Sequence, residues 1–125
     1  MEKRVMKQAE DIVVKLDATR NGGPIDVATN GIRFGDNLAV TPFVFRYSDE
    51  KQPHTKRGEW TVTHIPTGRR IGPVMSKKSA MTFARLLSGK DVWDFFATTK
   101  KEVPRQARTH FMKCIKELDV KDNGK

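Results

Sequence analysis

Two short turn segments, each set between runs of strand-forming residues, constrain the fold of this chain more than any other feature. Gly35-Asp36-Asn37 separates Ile32-Arg33-Phe34 from a β-branched and aromatic run, and Pro66-Thr67-Gly68 separates the alternating residues 59–65 from residues 69–74. Proline fixes a backbone angle in such turns, and glycine adopts the angles that close them. The sequence therefore predicts two β-hairpins in an antiparallel sheet.

The N-terminal region before these hairpins has a different spacing. Apolar residues three and four positions apart predict an amphipathic helix over residues 2–17, although the run Ile12-Val13-Val14 is also compatible with a strand. Asn21-Gly22-Gly23-Pro24 breaks any helix. Residues 19–30 are therefore predicted to be a long connection.

Two further expectations concern the middle of the chain. Pro42 lies inside the predicted strand over residues 38–47, which indicates an edge position or a bulge, because proline has no backbone donor for a sheet. The polar residues 48–58 are predicted to form an exposed loop that contains Lys56 and Arg57.

Helical signals return after the second hairpin. Ser76 is a suitable N-cap for a helix from Lys77 to Ser88, which Gly89 ends. Asp91 is placed to cap a short helix, and a last helix is predicted from about Val103 to Leu118. The residues expected on the buried face of the first of these helices are Ala80, Phe83, Ala84 and Leu87.

These elements predict an α+β fold, an antiparallel sheet of three to five strands with an N-terminal helix and two to three C-terminal helices packed on it. The 125 residues are enough for one hydrophobic core. Residues 1–119 are therefore predicted to form a single domain, followed by a flexible polar tail over residues 120–125. The single cysteine, Cys114, suits a reducing compartment. Without a signal peptide or an apolar run long enough to cross a bilayer, a cytoplasmic protein with no membrane contact is expected.

The positive charge is concentrated in the second half of the chain. Residues 51–90 hold nine Lys and Arg against one acid, residues 100–116 hold six against one, and residues 1–50 hold seven against eight. Lys and Arg that neutralise phosphates release condensed counterions, which gives affinity for any nucleic-acid sequence. The chain is therefore expected to bind nucleic acid or an acidic protein surface.

The candidate phosphate contacts fall on four predicted segments: a hairpin strand, the first turn of the helix after it, the last helix and the polar loop. Lysines are disfavoured at the electropositive start of a helix, but a phosphate that accepts from the free N–H groups there would favour them. The alternative is that these lysines only face solvent. The predicted nucleic-acid-binding residues are Arg69, Arg70, Lys77, Lys78, Arg105, Arg108, Lys56 and Arg57.

The last helix is predicted to have one basic and one apolar side. Arg105, Arg108 and Lys116 fall in one sector of the helical wheel, opposite Cys114 and Leu118. This spacing predicts a buried Cys114 and a basic stripe, although a solvated helix face has the same pattern.

Aromatic side chains on the predicted strands offer base stacking as a second binding mode, since bases stack on aromatic residues of a sheet surface. Packing in the core is the simpler interpretation for a chain with few aromatic residues. The residues concerned are Phe43, Phe45, Tyr47 and Trp60.

No pattern in the sequence indicates catalysis or a cofactor. His54, His64 and His110 show no ligand spacing with carboxylates, and there is no Gly-rich phosphate loop. His110 and Cys114 lie four residues apart, but two ligands do not make a zinc site. The sequence therefore predicts that the protein is not an enzyme and binds neither a metal ion nor a cofactor.

The order helix, three strands, helix, with Ser76-Lys77-Lys78-Ser79-Ala80 opening the second helix, is similar to the double-stranded-RNA-binding domain. The fourth strand and the extra C-terminal helix predicted here depart from the pattern of that domain. The resemblance covers residues 71–85, and it implies that Lys77 and Lys78 contact phosphates across a groove of the duplex. The Gly-Pro-x-His loop of such domains has no counterpart, since Gly22-Gly23-Pro24 lies too early in the chain. The small, basic, single-cysteine chain also resembles accessory proteins of phages and other mobile elements.

The sequence thus predicts a small basic accessory protein that binds nucleic-acid phosphates without catalysis. One alternative is an inhibitor or modulator that docks a basic face on an acidic or nucleic-acid-binding partner. The other is a module like the double-stranded-RNA-binding domain. DNA or RNA, single or double strand, and the oligomeric state are all left open by the sequence.

Overall fold

A computed structural model describes residues 9–16, 25–45, 53–97 and 100–123 of the chain, and within them five strands precede two α-helices. Each strand pairs with the next in antiparallel fashion, so the sheet order is β1-β2-β3-β4-β5. The elements are β1 (Ala9–Leu16), β2 (Ile25–Phe34), β3 (Leu38–Phe45), β4 (His54–His64), β5 (Arg69–Met75), α1 (Lys77–Leu87) and α2 (Arg105–Asn123), with a short 3-10 helix at Lys100–Glu102.

Both predicted hairpins are confirmed. Residues 35–37 connect β2 to β3 and residues 65–68 connect β4 to β5. The second turn is closed by the amide of Gly68, which donates to the carbonyl oxygen of His64 over 2.7 Å.

The predicted N-terminal helix is wrong in its described part, because residues 9–16 form strand β1. This strand pairs with β2 along its whole length, from Ala9 opposite Ile32 to Leu16 opposite Ile25. Side chains accordingly alternate, with Ile12 buried and Val13 52% exposed. The β-branched run favours a strand, and pairing with β2 decides against the helical spacing. Residues 25–30, predicted as a connection, are part of β2 for the same reason, while residues 2–8 lie outside the described residues.

The predicted set of helices is therefore corrected, although the α+β class is retained. The described chain has two α-helices, α1 and α2, and both follow the sheet. The short helix predicted after Asp91 is absent, because residues 91–97 are irregular. The resemblance to the double-stranded-RNA-binding domain implies the order helix, three strands, helix. The observed order is different, because five strands precede two α-helices in the described residues.

Helix α1 matches its prediction closely. The hydroxyl oxygen of Ser76 accepts from the amide of Ser79 over 3.1 Å, which caps the helix start. All four residues expected on the buried face are fully buried, namely Ala80, Phe83, Ala84 and Leu87. Helix α2 continues to Asn123, beyond the predicted end at Leu118, and its Cys114 is buried as predicted. The division into a domain over residues 1–119 and a flexible tail stays a prediction.

The two helices cover one face of the sheet and form the core with it. Val40 and Val62 of the central strands lie against Phe83 and Leu87 of α1, and all four are fully buried. Burying such side chains supplies about 1.5 to 3 kcal/mol each. One face of the sheet is therefore covered by the helices, and no described helix packs on the other face.

The second face is concave, because the two ends of the sheet approach each other. The amide of Lys15 in β1 donates to the carbonyl oxygen of Gly68 over 2.6 Å, which joins the first strand to the turn before the last one. The floor of this face carries buried threonines, and the hydroxyl of Thr41 lies 2.8 Å from that of Thr63 and 3.4 Å from that of Thr61.

A bulge in the β3–β4 pairing explains Pro42. Thr55 and Trp60 of β4 face Val44 and Pro42 of β3, so residues 56–59 oppose Phe43 alone. The bulge alternative for Pro42 is confirmed and the edge alternative is wrong, since β3 is the middle strand. The predicted loop over residues 48–58 is partly strand, since β4 begins at His54.

In the described part of the chain, no helix combines the length and apolar character needed to span a membrane.

Candidate nucleic-acid interface

Arg69 and Arg70 begin the edge strand β5, and both are exposed. In the β4–β5 ladder Arg69 lies opposite His64 and Arg70 lies opposite Thr63. Opposed residues of an antiparallel pair share a face, and successive residues of a strand point to opposite faces. Arg69 is therefore directed to the helix side of the sheet and Arg70 to the concave side.

The concave face holds a groove of about 360 Å³, which we call the sheet groove. Its residues come from β1, β3, β4 and β5, and none of the described lining residues is acidic. The lining residues are Val14, Lys15, Leu16, Phe43, Val44, Phe45, Thr61, Thr63, Arg69 and Arg70. The groove is thus a basic channel with aromatic and threonine side chains in it.

The aromatic side chains of the sheet groove are stacked. The rings of Phe43 and Phe45 are nearly parallel, at 19°, with centroids 5.8 Å apart. The ring of His54 follows Phe45 at 5.8 Å. The guanidinium carbon of Arg70 lies 5.5 Å from the centroid of the Phe43 ring, within the range of a cation–π contact. Arg70 is therefore held beside an aromatic row, not directed freely into solvent.

Lys15 is the remaining cation of the sheet groove and is partly neutralised. Its ammonium group lies 2.8 Å from a carboxylate oxygen of Asp26, on the neighbouring strand β2. The Asp26 side chain is 61% exposed and that of Lys15 is 34% exposed, so water screens this ion pair and it contributes little to stability. Arg69 and Arg70 form no ion pair with the described residues, so they carry most of the available charge.

A second cavity lies on the helix side of β5, and we call it the arginine cavity. It has a volume of about 320 Å³ and lies between β5, the irregular residues 93–97 and the start of α2. Arg69, Arg70 and Arg108 border it. The lining residues are His64, Thr67, Arg69, Arg70, Ile71, Gly72, Trp93, Phe95, Ala97, Val103, Ala107, Arg108 and Phe111. Both arginines of β5 thus border both openings, because this strand forms the rim between them.

The polar groups inside the arginine cavity form hydrogen bonds with one another. Nε2 of His64 lies 2.7 Å from the carbonyl oxygen of Trp93, and Nδ1 lies 2.9 Å from the hydroxyl of Thr67. Burial lowers the pKa of His64, which outweighs the opposite effect of the bond to the Trp93 carbonyl. The imidazole ring also stacks on Phe95, with centroids 4.3 Å apart. His64 is therefore a neutral structural link and no free acid or base.

The lysines at the start of α1 occupy a separate place. Both are exposed, and the ammonium of Lys77 lies 4.9 Å from the centroid of the Trp60 ring. Neither Lys77 nor Lys78 lines the sheet groove or the arginine cavity. This cation–π contact stabilises the Lys77 ammonium group within the protein even when no phosphate is bound. Phosphate binding by Lys77 stays a prediction.

The other predicted residues are also exposed but dispersed. Lys56 and Arg57 lie in the β4 bulge, and Arg105 lies in the first turn of α2. The structure therefore brings together Arg69, Arg70 and Arg108 around the arginine cavity and leaves the remaining five outside it.

Sequence reasoning missed several residues of these two openings. The sequence favours core packing for Phe43 and Phe45, yet they are only half-buried and line the sheet groove, while Tyr47 lies outside the described residues. The sequence places Lys15 on the predicted N-terminal helix, whereas the structure places it on β1 in the sheet groove. The available signal was the period of two shared by Thr41, Phe43 and Phe45, which places these residues on one face of a strand.

The described residues contain no group of three His, Cys, Asp or Glu side chains close enough to hold a metal ion.

Comparisons of the chain with protein-family models, with curated proteins and with solved structures found no match.

Proposed function

We propose that this protein binds single-stranded nucleic acid in the sheet groove and catalyses no reaction. The observation that carries the proposal is the row in which Arg70 lies over Phe43 and Phe43 stacks on Phe45. Proteins that hold single strands combine a basic channel for the backbone with aromatic rings on which bases stack. The sheet groove offers both features within about 360 Å³.

Unpaired bases fit this surface better than a duplex does. The rings of Phe43 and Phe45 are half-buried and line this groove, so a base has to be unpaired before it can stack on them. Stacking contributes about 1 to 3 kcal/mol per base, and each phosphate neutralised adds a salt-dependent increment. In this proposal Arg69 and Arg70 hold the backbone, and phosphate contacts by the other predicted cations stay a prediction.

The test compares two charge reversals with the same change in net charge. Binding of a labelled single-stranded oligonucleotide is measured by fluorescence anisotropy at several salt concentrations. We expect Arg70→Glu to weaken binding at least about tenfold and to flatten the salt dependence, since a cation of the groove is lost. Arg85→Glu, at an exposed position of α1 outside the sheet groove, should have a much smaller effect.

A second variant tests stacking separately from charge. Phe43→Leu keeps an apolar side chain in the sheet groove but removes the ring, and we expect affinity to fall by about 1 kcal/mol or more per stacked base. A duplex of the same sequence should compete poorly. Absence of binding, equal losses in the two charge variants, or equal competition by the duplex would each contradict the proposal.

An acidic protein surface is the second candidate partner. The exposed, dispersed cations Lys56, Arg57, Lys78 and Arg105 would suit a broad acidic face better than one groove. Pull-down from nuclease-treated lysate distinguishes the two, because a protein partner would be retained after nucleic acid is removed.

A further inference from the structure

The arginine cavity has the size and surface of a small-molecule site. Its volume of about 320 Å³ lies at the lower end of the range of such sites, roughly 300 to 1,000 Å³. Aromatic side chains line it from two sides, Trp93 and Phe95 from the irregular segment and Phe111 from α2. The interior therefore favours the apolar, flat part of a ligand over water.

The polar groups of the interior have little to offer a ligand. Both ring nitrogens of His64 are bonded, one to the Trp93 carbonyl and one to the Thr67 hydroxyl. The Thr67 oxygen also accepts from the amide of Arg69 over 3.3 Å. A ligand whose buried part carries hydrogen-bonding groups would leave those groups unpaired, which costs about 1 to 3 kcal/mol each. This argues against a nucleobase and for an apolar body.

The rim selects for negative charge. Arg69, Arg70 and Arg108 border the opening, and no described acidic residue lines it. Arg69 and Arg108 form no ion pair within the described residues. Arginine binds carboxylate and sulfonate groups through two parallel hydrogen bonds, so an anionic head at the rim would be held more strongly than a neutral one.

We propose that the arginine cavity is a second binding site, for a small amphipathic anion. The flat apolar body of the ligand lies among Phe95, Phe111 and Trp93, and its single carboxylate or sulfonate group pairs with Arg108 and Arg69 at the rim. Arg69 and Arg70 border both openings, but the aromatic walls and Arg108 belong to the arginine cavity alone, so variants at these positions test this site separately from the sheet groove.

Isothermal titration calorimetry with 2-naphthoate tests the proposal, and 2-naphthylmethanol, which has the same rings but no charge, is the matched control ligand. We expect saturable binding of one naphthoate per chain and at least tenfold weaker binding of the neutral analogue. Arg108→Glu should weaken naphthoate binding at least tenfold. Arg105→Glu changes the same charge one helical turn earlier, outside the cavity lining, and should change the affinity less than twofold.

Two controls keep the result interpretable. Circular dichroism checks that Arg108→Glu is folded, and Arg108→Gln replaces it if it is not. Phe43 does not line the arginine cavity, so Phe43→Leu should bind naphthoate nearly as the parent protein does, and failure of one proposal is distinguishable from failure of the other. No saturable binding, equal binding of the neutral analogue, or equal losses in the Arg105 and Arg108 variants would overturn the proposal.

Discussion

Nε2 of His64 lies 2.7 Å from the carbonyl oxygen of Trp93, so a buried imidazole in β4 is bonded to the irregular segment after α1. A carbonyl only accepts hydrogen bonds, so Nε2 carries the proton and Nδ1 accepts from the Thr67 hydroxyl in the neutral ring. Trp93 is fixed at its other end, because its indole N–H donates to the carbonyl oxygen of Leu87 over 2.8 Å. This chain of bonds holds one wall of the arginine cavity against the sheet.

The state of His64 predicts a loss of stability in acid. Because burial lowers the pKa of His64 in the folded protein, the unfolded chain takes up a proton first as the pH falls. The contribution of the neutral ring is complete above the ordinary pKa of about 6.5, and it is lost as the pH falls below that value towards the folded-state pKa. We expect the free energy of unfolding in urea to decrease between about pH 7.5 and pH 5.

His64→Gln provides the control for that titration. Its side-chain amide keeps a donor for the Trp93 carbonyl but does not titrate, so the variant is less stable at neutral pH and has a shallower dependence on pH. An unchanged slope in this variant would assign the acid sensitivity to other groups.

Gly72 predicts a large local sensitivity, and Gly58 supplies the comparison. Both have a positive φ, 83° and 84°. A Cβ atom added at Gly72 would lie 2.8 Å from Cε2 of the buried Phe83, whereas one added at Gly58 meets nothing within 4 Å. Gly58→Ala should therefore cost only the backbone term of about 1 to 2 kcal/mol. Gly72→Ala should cost about 1 to 3 kcal/mol more, because the core must also move.

Urea unfolding of the two glycine variants checks this difference. Phe83→Leu combined with Gly72→Ala should recover part of the loss, because a smaller side chain makes room for the added methyl group. Equal destabilisation by Gly58→Ala and Gly72→Ala would show that β5 does not press on Phe83.

The elements that were predictable from sequence are those set by local chemistry. Ser76 caps α1, and its apolar face has one spacing only, so the helix and its four buried residues follow from the sequence. The two hairpin turns are also set locally, since Gly35 and Gly68 adopt positive φ angles that other residues disfavour and Pro66 fixes its own φ. Strand β1 was not predictable in this way, because the spacing from Ile12 to Leu16 fits a helix as well and only pairing with β2 decides.

The two openings depend on contacts between residues distant in sequence. Arg70 of β5 lies over Phe43 of β3, 27 positions earlier in the chain, although β4 separates their two strands. The basic character of Arg69 and Arg70 was evident from the sequence, but their position on a rim between two cavities requires the β4–β5 register. Arg108 joins them only because α2 packs beside that strand.

The thiol of Cys114 should react slowly in the folded protein. Its side chain is 1% exposed on the inner face of α2, and burial raises the pKa of the thiol, with a smaller contribution from the nearby carboxylate of Glu117. We expect slow reaction with DTNB in native buffer and rapid reaction in denaturant. Met112→Cys places a second thiol on the same helix at a position where the native side chain is 53% exposed. That variant should show one fast and one slow thiol, whereas two fast thiols would mean that α2 does not hold Cys114 against the core.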